Sequence, residues 1–223
     1  MNNYNFNNYS NEPPEYGFLT LSFMLEPVSL QSSSRRKELV KTEIRKVTSK
    51  LNYLLSGDVK VEIQWMLHEQ ERYESGYSPD IDNIIKPILD GLSGPEGILI
   101  DDCQVQTIGS HWLDWTREEH RINIEIRYLA EDFVPKANLV FVNVGKKLYM
   151  PFHTNINQKA NELILESLLQ MMKLRKEVMD ETADYHKSKL FKSGQRFFHK
   201  NRVYGEFQTM EIEEFKTYIS KKN

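Results

Sequence analysis

Between residues 80 and 102 the chain concentrates five aspartates and a single lysine, and apolar residues separate them. The aspartates are Asp80, Asp82, Asp90, Asp101 and Asp102, and the lysine is Lys86. Carboxylates at this density repel one another unless a cation lies between them, and a hard divalent cation with oxygen ligands is the simplest candidate. Carboxylate-held Mg²⁺ suits phosphodiester cleavage, because it neutralises charge that builds on phosphorus and lowers the pKa of the attacking water.

The length and composition indicate a folded protein of one large domain or two small ones. The chain has 223 residues, of which 39% are hydrophobic and 11% aromatic, and no apolar run approaches a membrane span. The Asn-rich start lacks the basic and apolar regions of a signal peptide, so residues 1–16 are predicted to be a flexible arm. The single cysteine, Cys103, excludes an intrachain disulfide and favours a reducing, cytoplasmic location.

The net charge of −3 does not by itself indicate a nucleic-acid-binding protein, but its distribution is uneven. Residues 1–130 carry 13 Lys and Arg against 20 Asp and Glu, whereas residues 131–223 carry 16 against 12. Part of the acidity of the first segment is the aspartate cluster, which a bound metal would offset.

The first part of the chain alternates strand and helix patterns. Strands are predicted at residues 17–26, 59–67, 105–113 and 121–129. One helix is predicted over residues 35–55, and a second follows the first aspartates. The order β-α-β-α-β-β predicts an α+β domain with a mixed sheet, bounded by residues 17 and 132.

The remaining residues, 133–223, form a predicted C-terminal extension of α/β character. One or two strands are expected over 138–150, with a turn at Gly145. A long helical stretch is expected over 157–190, a hairpin over 195–207 and a short helix over 211–219.

Pro87 limits where the second helix begins, because proline lacks an N–H and is tolerated only near a helix start. The helix is therefore predicted to start between Asn83 and Lys86. Asp80 and Asp82 would then lie just before it, on one face of extended chain, where the helix dipole favours negative charge.

The other acidic residues are placed by their spacing. Lys86 and Asp90 are four residues apart and can pair on the helix surface. Asp101 and Asp102 are predicted to open the next strand, so only one of them is expected to face the first pair. The alternative interpretation is that the aspartates are ordinary helix caps and turn formers and that Lys86 forms a surface salt bridge.

The spacing of these residues resembles the signature of the RusA-type Holliday junction resolvases. It reads Asp-x-Asp-Asn-x-x-Lys-x-x-x-Asp-x-Leu from Asp80, and then Asp-Asp-x-x-Val from Asp101. The resemblance covers residues 17–130. It implies a small, dimeric, Mg²⁺-dependent endonuclease of a kind common in bacteria and prophages.

The resemblance also implies roles for individual residues. Asp80, Asp82 and Asp102 match the family's metal-site carboxylates, and Lys86 matches its important lysine. Asp90 and Asp101 match commonly acidic positions whose less defined roles would be to support the metal-site residues. The implied reaction is hydrolysis of branched DNA with one or two Mg²⁺ ions, or Mn²⁺, in which Lys86 stabilises the developing charge or positions the phosphate. A homodimer would match the two-fold symmetry of the substrate.

Two groups of cations are candidates for DNA binding. Arg35, Arg36 and Lys37 follow a Pro- and Ser-bearing loop that resembles the family's basic loop, although they could equally be a solvated helix start. Residues 185–205 hold six cations, no acidic residue and five interleaved aromatics, which suits a phosphate-tracking surface; the alternative is a solvated face over an aromatic core. The candidate DNA-binding residues in this stretch are Lys189, Lys192, Arg196 and Lys200.

The sequence therefore predicts a metal-dependent, structure-selective endodeoxyribonuclease with an extension that adds DNA contacts or binds a protein partner. One alternative is a nuclease on other DNA, for example in phage defence or recombination. Another is a non-cleaving regulatory protein that binds DNA structures.

Overall fold

The computed structural model describes residues 11–29, 31–76, 80–117 and 119–221. It divides the chain into two compact units, residues 1–136 and residues 137–223. Both units combine helices with mixed or antiparallel sheets, so the predicted α+β character is confirmed. The predicted domain boundary at residue 132 falls inside the first unit.

The first unit contains six strands and three α-helices among the described residues. In chain order they are β1 (Phe18–Phe23), α1 (Ser34–Thr48), β2 (Tyr53–Leu55), β3 (Val59–His68), α2 (Glu69–Glu74), α3 (Ile81–Leu92), β4 (Val105–Trp115), β5 (Arg121–Arg127) and β6 (Phe133–Pro135). The predicted strands and helices all occur in the predicted order, and β2, α2 and β6 are additional.

The main sheet of this unit has the strand order β1-β5-β3-β4. The pairs β1/β5 and β5/β3 are antiparallel, whereas β3/β4 is parallel. The predicted mixed sheet is therefore present. The short strands β2 and β6 form a separate antiparallel pair.

Helices α1 and α3 pack against each other and bury one face of the main sheet. The alternating residues Val61, Ile63 and Trp65 of β3 are buried in this core, as the period-two pattern predicted. The two helices approach closely at Gly91, where an added Cβ would lie 2.8 Å from Ile44 Cδ1. This close packing fixes the position of α3, which carries the first part of the aspartate motif.

The predicted helix over 35–55 is too long. Helix α1 ends at Thr48, and Leu54 and Leu55 belong to the buried strand β2. A short, fully apolar strand has no alternation, so periodicity does not separate it from a buried helical turn. Its pairing with β6, almost 80 residues later in the chain, decides the conformation.

The two ends of the first unit are held by specific contacts. Residues 1–10 of the predicted arm lie outside the described residues. Further along the arm, Pro14 is buried and its carbonyl accepts a hydrogen bond of 3.0 Å from the Tyr128 hydroxyl. At the other end, Lys136 Nζ donates to the Thr48 carbonyl at the end of α1, at 3.0 Å.

The second unit combines a sheet with one long and several short helices. Its elements are β7 (Leu139–Asn143), β8 (Leu148–His153), α4 (Gln158–Thr182), α5 (Tyr185–Ser188), β9 (Phe198–His199), α6 (Lys200–Val203), β10 (Thr209–Glu211) and α7 (Ile212–Lys221). The sheet order is β10-β7-β8-β9, and only β10/β7 is parallel. Helices α4 and α7 contribute Leu165, Leu168 and Phe215 to the core on one face.

Two predictions for this unit need correction. The helix over 157–190 ends at Thr182, because Ala183 adopts a left-handed backbone (φ 51°) and Asp184 then caps the separate helix α5. The hairpin over 195–207 does not form. Instead β9 pairs with β8 and runs directly into α6.

Among the described residues, no helix combines the length and the apolar composition that crossing a membrane requires.

Candidate active site

Lys86 joins two separate parts of the aspartate motif. Its ammonium nitrogen lies 2.6 Å from Asp90 Oδ1 on the same helix and 2.6 Å from Asp102 Oδ2, sixteen residues later. The predicted pair of Lys86 with Asp90 is therefore present, and a second ion pair accompanies it. These contacts bring the exposed face of α3 against the short turn that precedes β4.

The ammonium group of Lys86 is held in its charged form. Burial lowers the pKa of Lys86, but its hydrogen bonds and charge interactions with Asp102 and Asp90 raise it more, so the pKa lies above its ordinary value. Lys86 therefore supplies a fixed positive charge at neutral pH.

Helix α3 begins earlier than predicted. It starts at Ile81, with Asp80 as its N-cap residue and Asp82 in its first turn, and Pro87 lies inside it. Pro87 cannot make the helical bond to the Asn83 carbonyl, but burial of Ile84 and Ile88 in the core holds the helix on both sides of this gap. The prediction that Asp80 and Asp82 lie in extended chain ahead of the helix is wrong for Asp82.

Asp80 and Asp82 lie where the positive end of the α3 dipole favours carboxylates. Both residues are exposed, and the Asp80 side chain makes no hydrogen bond to the helix it caps. Asp82 precedes Lys86 by four residues, so the two side chains share one face of α3.

Asp102 opens a 3₁₀ turn that Asp101 caps, so neither residue opens a strand. The turn covers Asp102–Gln104, and β4 begins at Val105. The Asp101 carboxylate accepts a 2.9 Å bond from the Cys103 N–H and so caps the turn. The two side chains separate because Asp101 accepts from the backbone of its own turn while Asp102 contacts Lys86. That only one of them faces Asp80 and Asp82 stays a prediction.

Gln104 is a site residue that sequence reasoning missed. Its side chain is fully buried, and its Oε1 accepts from the Ile100 and Asp101 N–H groups at 2.8 and 3.0 Å. Its Nε2 donates to the Leu55 and Gly57 carbonyls, both at 2.8 Å. Gln104 thus connects the turn that contains Asp102 with the end of β2 and the residues that follow it.

A sequence signal for this arrangement exists. Asp101-x-x-Gln104 has the spacing of a capping box, in which each side chain bonds to the other residue's backbone N–H. The charge pattern of the motif does not indicate Gln104, because its amide is uncharged.

The donor chemistry of Asp80, Asp82 and Asp102 fits a hard divalent cation, since it offers carboxylate oxygens alone. Within residues 11–29, 31–76, 80–117 and 119–221, no three His, Cys, Asp or Glu side chains lie close enough together to hold a metal ion. In this arrangement the charge of Asp102 is balanced by Lys86.

The candidate DNA-binding cations fall in both units. Arg35, Arg36 and Lys37 occupy the first turn of α1, and Arg36 forms an exposed ion pair with Glu26 at 3.3 Å. In the second unit, Lys189 lies over the Tyr185 ring, 5.9 Å from its centroid, while Lys200 lies over Tyr204. The remaining candidates are Lys192 and Arg196.

Four of the five aromatic residues of the basic stretch divide into two groups. Phe198 is buried against Phe141, and Phe197 packs against the core of the second unit. Tyr185 and Tyr204 are exposed, at 56% and 62%. Only part of this stretch is therefore available to a ligand.

Comparison with known proteins bears on the first unit. The model of the family described as endodeoxyribonuclease RusA matches residues 29–127. This range contains α1, α3 and the whole aspartate motif. No curated protein matches the chain significantly. The segment from residue 29 to residue 127, in which Lys86 joins α3 to the aspartate turn, is therefore similar to the endodeoxyribonuclease RusA family.

Proposed function

We propose that this protein is a metal-dependent endonuclease that cuts branched DNA, with the Holliday junction as its substrate. The observation that carries the proposal is the double ion pair of Lys86, which joins Asp90 and Asp102 inside the segment that matches the nuclease family. Lys86 thus holds one ammonium group between two carboxylates at the partly exposed surface of the motif.

We propose that Asp80, Asp82 and Asp102 supply the ligands of a Mg²⁺ or Mn²⁺ ion, and binding would require these carboxylates to lie closer together than they do in this arrangement. Their oxygen donors suit these hard cations, and the Asp80 carboxylate is not engaged by the helix that it caps. When bound, the metal supplies charge neutralisation at the phosphate and a lower pKa for the attacking water.

The other residues of the motif position these groups. Lys86 is a hydrogen-bond donor already fixed between two carboxylates, so it can donate to a phosphate oxygen without reorganising. Asp90 holds Lys86, and Asp101 holds the turn that carries Asp102. Arg35, Arg36 and Lys37 would contact DNA phosphates from the start of α1.

A cleavage assay tests the proposal. Labelled four-way junction, flap, duplex and single-stranded DNA are incubated with the full chain in Mg²⁺, in Mn²⁺ and in EDTA. We expect metal-dependent cutting that is strongest on the four-way junction. Preferential cutting of one of the other DNAs would indicate a nuclease with a different substrate. Tight junction binding without cutting in either metal would indicate a non-cleaving DNA-binding protein. Cleavage that persists in EDTA would contradict the metal site.

We also propose that the protein is a homodimer, because a two-fold symmetric enzyme can present one site to each strand of a branched junction. Light scattering at micromolar concentration should give the mass of two chains. The mass of a single chain, both free and in complex with junction DNA, would exclude this arrangement.

A further inference from the structure

The turn between β7 and β8 has backbone φ angles that are unusual for its amino acids. Gly145, Lys146 and Lys147 all have positive φ, at 109°, 53° and 60°. Glycine adopts this region freely, and asparagine tolerates it, but lysine does so rarely. Both lysines are exposed, so neither packing nor backbone preference accounts for two successive lysines here. An outlier of this kind is a reason to look for a function.

The turn lies beside α6, more than fifty residues later in the chain. The Lys200 N–H donates to the Lys147 carbonyl at 2.9 Å, and Leu148 pairs with His199 across β8 and β9. The fold thus adds Lys146 and Lys147 to a cation of the basic stretch, a grouping that the linear sequence does not reveal.

An exposed aromatic ring adjoins these cations. Lys200 Nζ lies 4.5 Å from the centroid of the Tyr204 ring, and Tyr204 is 62% exposed. Aromatic rings beside lysines suit nucleic acid, because the ring can stack on a base while the ammonium groups contact phosphates.

The charges of these lysines are not neutralised within the unit. Across the part of the chain that the structure describes, no ion pair joins Lys146, Lys147 or Lys200 to a carboxylate. Glu211, at the same end of the sheet, accepts hydrogen bonds from Asn143 at 3.0 and 3.1 Å. The lysines therefore remain available to an external anion.

We propose that Lys146, Lys147, Lys200 and Tyr204 form a DNA-binding surface on the second unit, here called the turn–helix surface. It would contact the phosphate backbone and one unstacked base, and it takes no part in the chemistry. The identity of the polyanion as DNA rests on the proposed function of the first unit. Residues 137–223 carry 15 Lys and Arg against 10 Asp and Glu, which suits this role in a chain whose other unit is acidic.

Binding measurements in EDTA test the turn–helix surface separately from cleavage. The full chain is titrated onto labelled duplex and four-way junction DNA at several salt concentrations. The double variant Lys146→Asn/Lys147→Asn removes both charges with a residue that tolerates positive φ. Loss of two phosphate contacts should weaken duplex binding and reduce the slope of log K against log salt by about 1.8.

A matched control removes two lysines from α4 in the same unit. Lys173→Gln/Lys176→Gln changes the net charge equally, but these lysines are exposed and near Glu177 and Asp180. The control should retain the wild-type slope. Equal slopes in the two double variants, or an unchanged slope in Lys146→Asn/Lys147→Asn, would overturn the proposal.

The aromatic part of the proposal has its own test. Tyr204→Leu keeps an apolar side chain and removes the stacking ring, so it should weaken binding to single-stranded DNA more than binding to duplex. Equal effects on both DNAs would show that Tyr204 is not part of the turn–helix surface. A chain that binds DNA through these residues but cuts none in Mg²⁺ would leave this inference intact and refute the nuclease function instead.

Discussion

Replacement of Asp102 by asparagine is expected to abolish DNA cleavage while junction binding stays intact or becomes tighter. The substitution removes a proposed metal ligand, and such a ligand supports several kcal/mol of transition-state stabilisation, so the rate should fall by at least about 10²–10³-fold. Because DNA is a polyanion, loss of the negative charge of Asp102 should strengthen DNA binding. Asp82→Asn should behave in the same way. Single-turnover cleavage in Mg²⁺ and binding in EDTA measure the two effects separately.

Folding should not account for this loss. The Lys86–Asp102 pair is partly exposed, with 48% and 22% of the side chains accessible, and such pairs contribute about 1 kcal/mol or less. Asp101→Asn is the matched neighbour, because an asparagine oxygen can still accept from the Cys103 N–H and preserve the cap. Its effect should be much milder. An Asp102→Asn variant that cuts near the wild-type rate would show that the metal site is misassigned.

Replacement of Gln104 by leucine is expected to destabilise the first unit by about 3 kcal/mol or more. Leucine has a similar volume but leaves the N–H groups of Ile100 and Asp101 and the carbonyls of Leu55 and Gly57 without their partner. A buried polar group that loses its partner costs about 1–3 kcal/mol. Urea unfolding of the full chain, followed by tryptophan fluorescence, gives the change in free energy, because Trp65, Trp112 and Trp115 all lie in the first unit.

Gln106→Leu provides the control for this variant. It makes the same substitution two residues later, at an exposed position on β4, where a change within about 0.5 kcal/mol is expected. Similar stability of the two variants would contradict the structural role of Gln104. Since Gln104 holds the turn of Asp102, cleavage by Gln104→Leu should also fall under conditions in which the variant remains folded.

Local patterns in the sequence were sufficient for most of the secondary structure. An element that buries one face in a core shows a hydrophobic pattern with the period of its backbone. This is the case for the alternation in β3 and β5 and for the helical spacing before Thr48. The polar spacing of the aspartate motif also sufficed to identify the family that matches residues 29–127. Where the pattern carried no period, as in the apolar residues of β2, the prediction failed.

The position of Pro87 shows a second limit. The preference of proline for helix starts is a local rule, and it placed the beginning of α3 too late. Burial of Ile84 and Ile88 against α1 and the sheet outweighs the one lost backbone bond, so the helix continues through the proline. A rule about single residues does not include this compensation, because its source is packing against other elements.

The sequence by itself determined which residues are candidates for the chemistry, since the number, type and spacing of the charged groups are written in it. Tertiary structure alone decided which of them meet. Lys86 reaches Asp102 because α3 packs on the sheet and because Gln104 ties the aspartate turn to the chain after β2. In the second unit, pairing of β8 with β9 places Lys147 beside Lys200. Contacts between residues far apart in the chain depend on the burial and backbone pairing of a whole unit. A local sequence pattern does not contain this information.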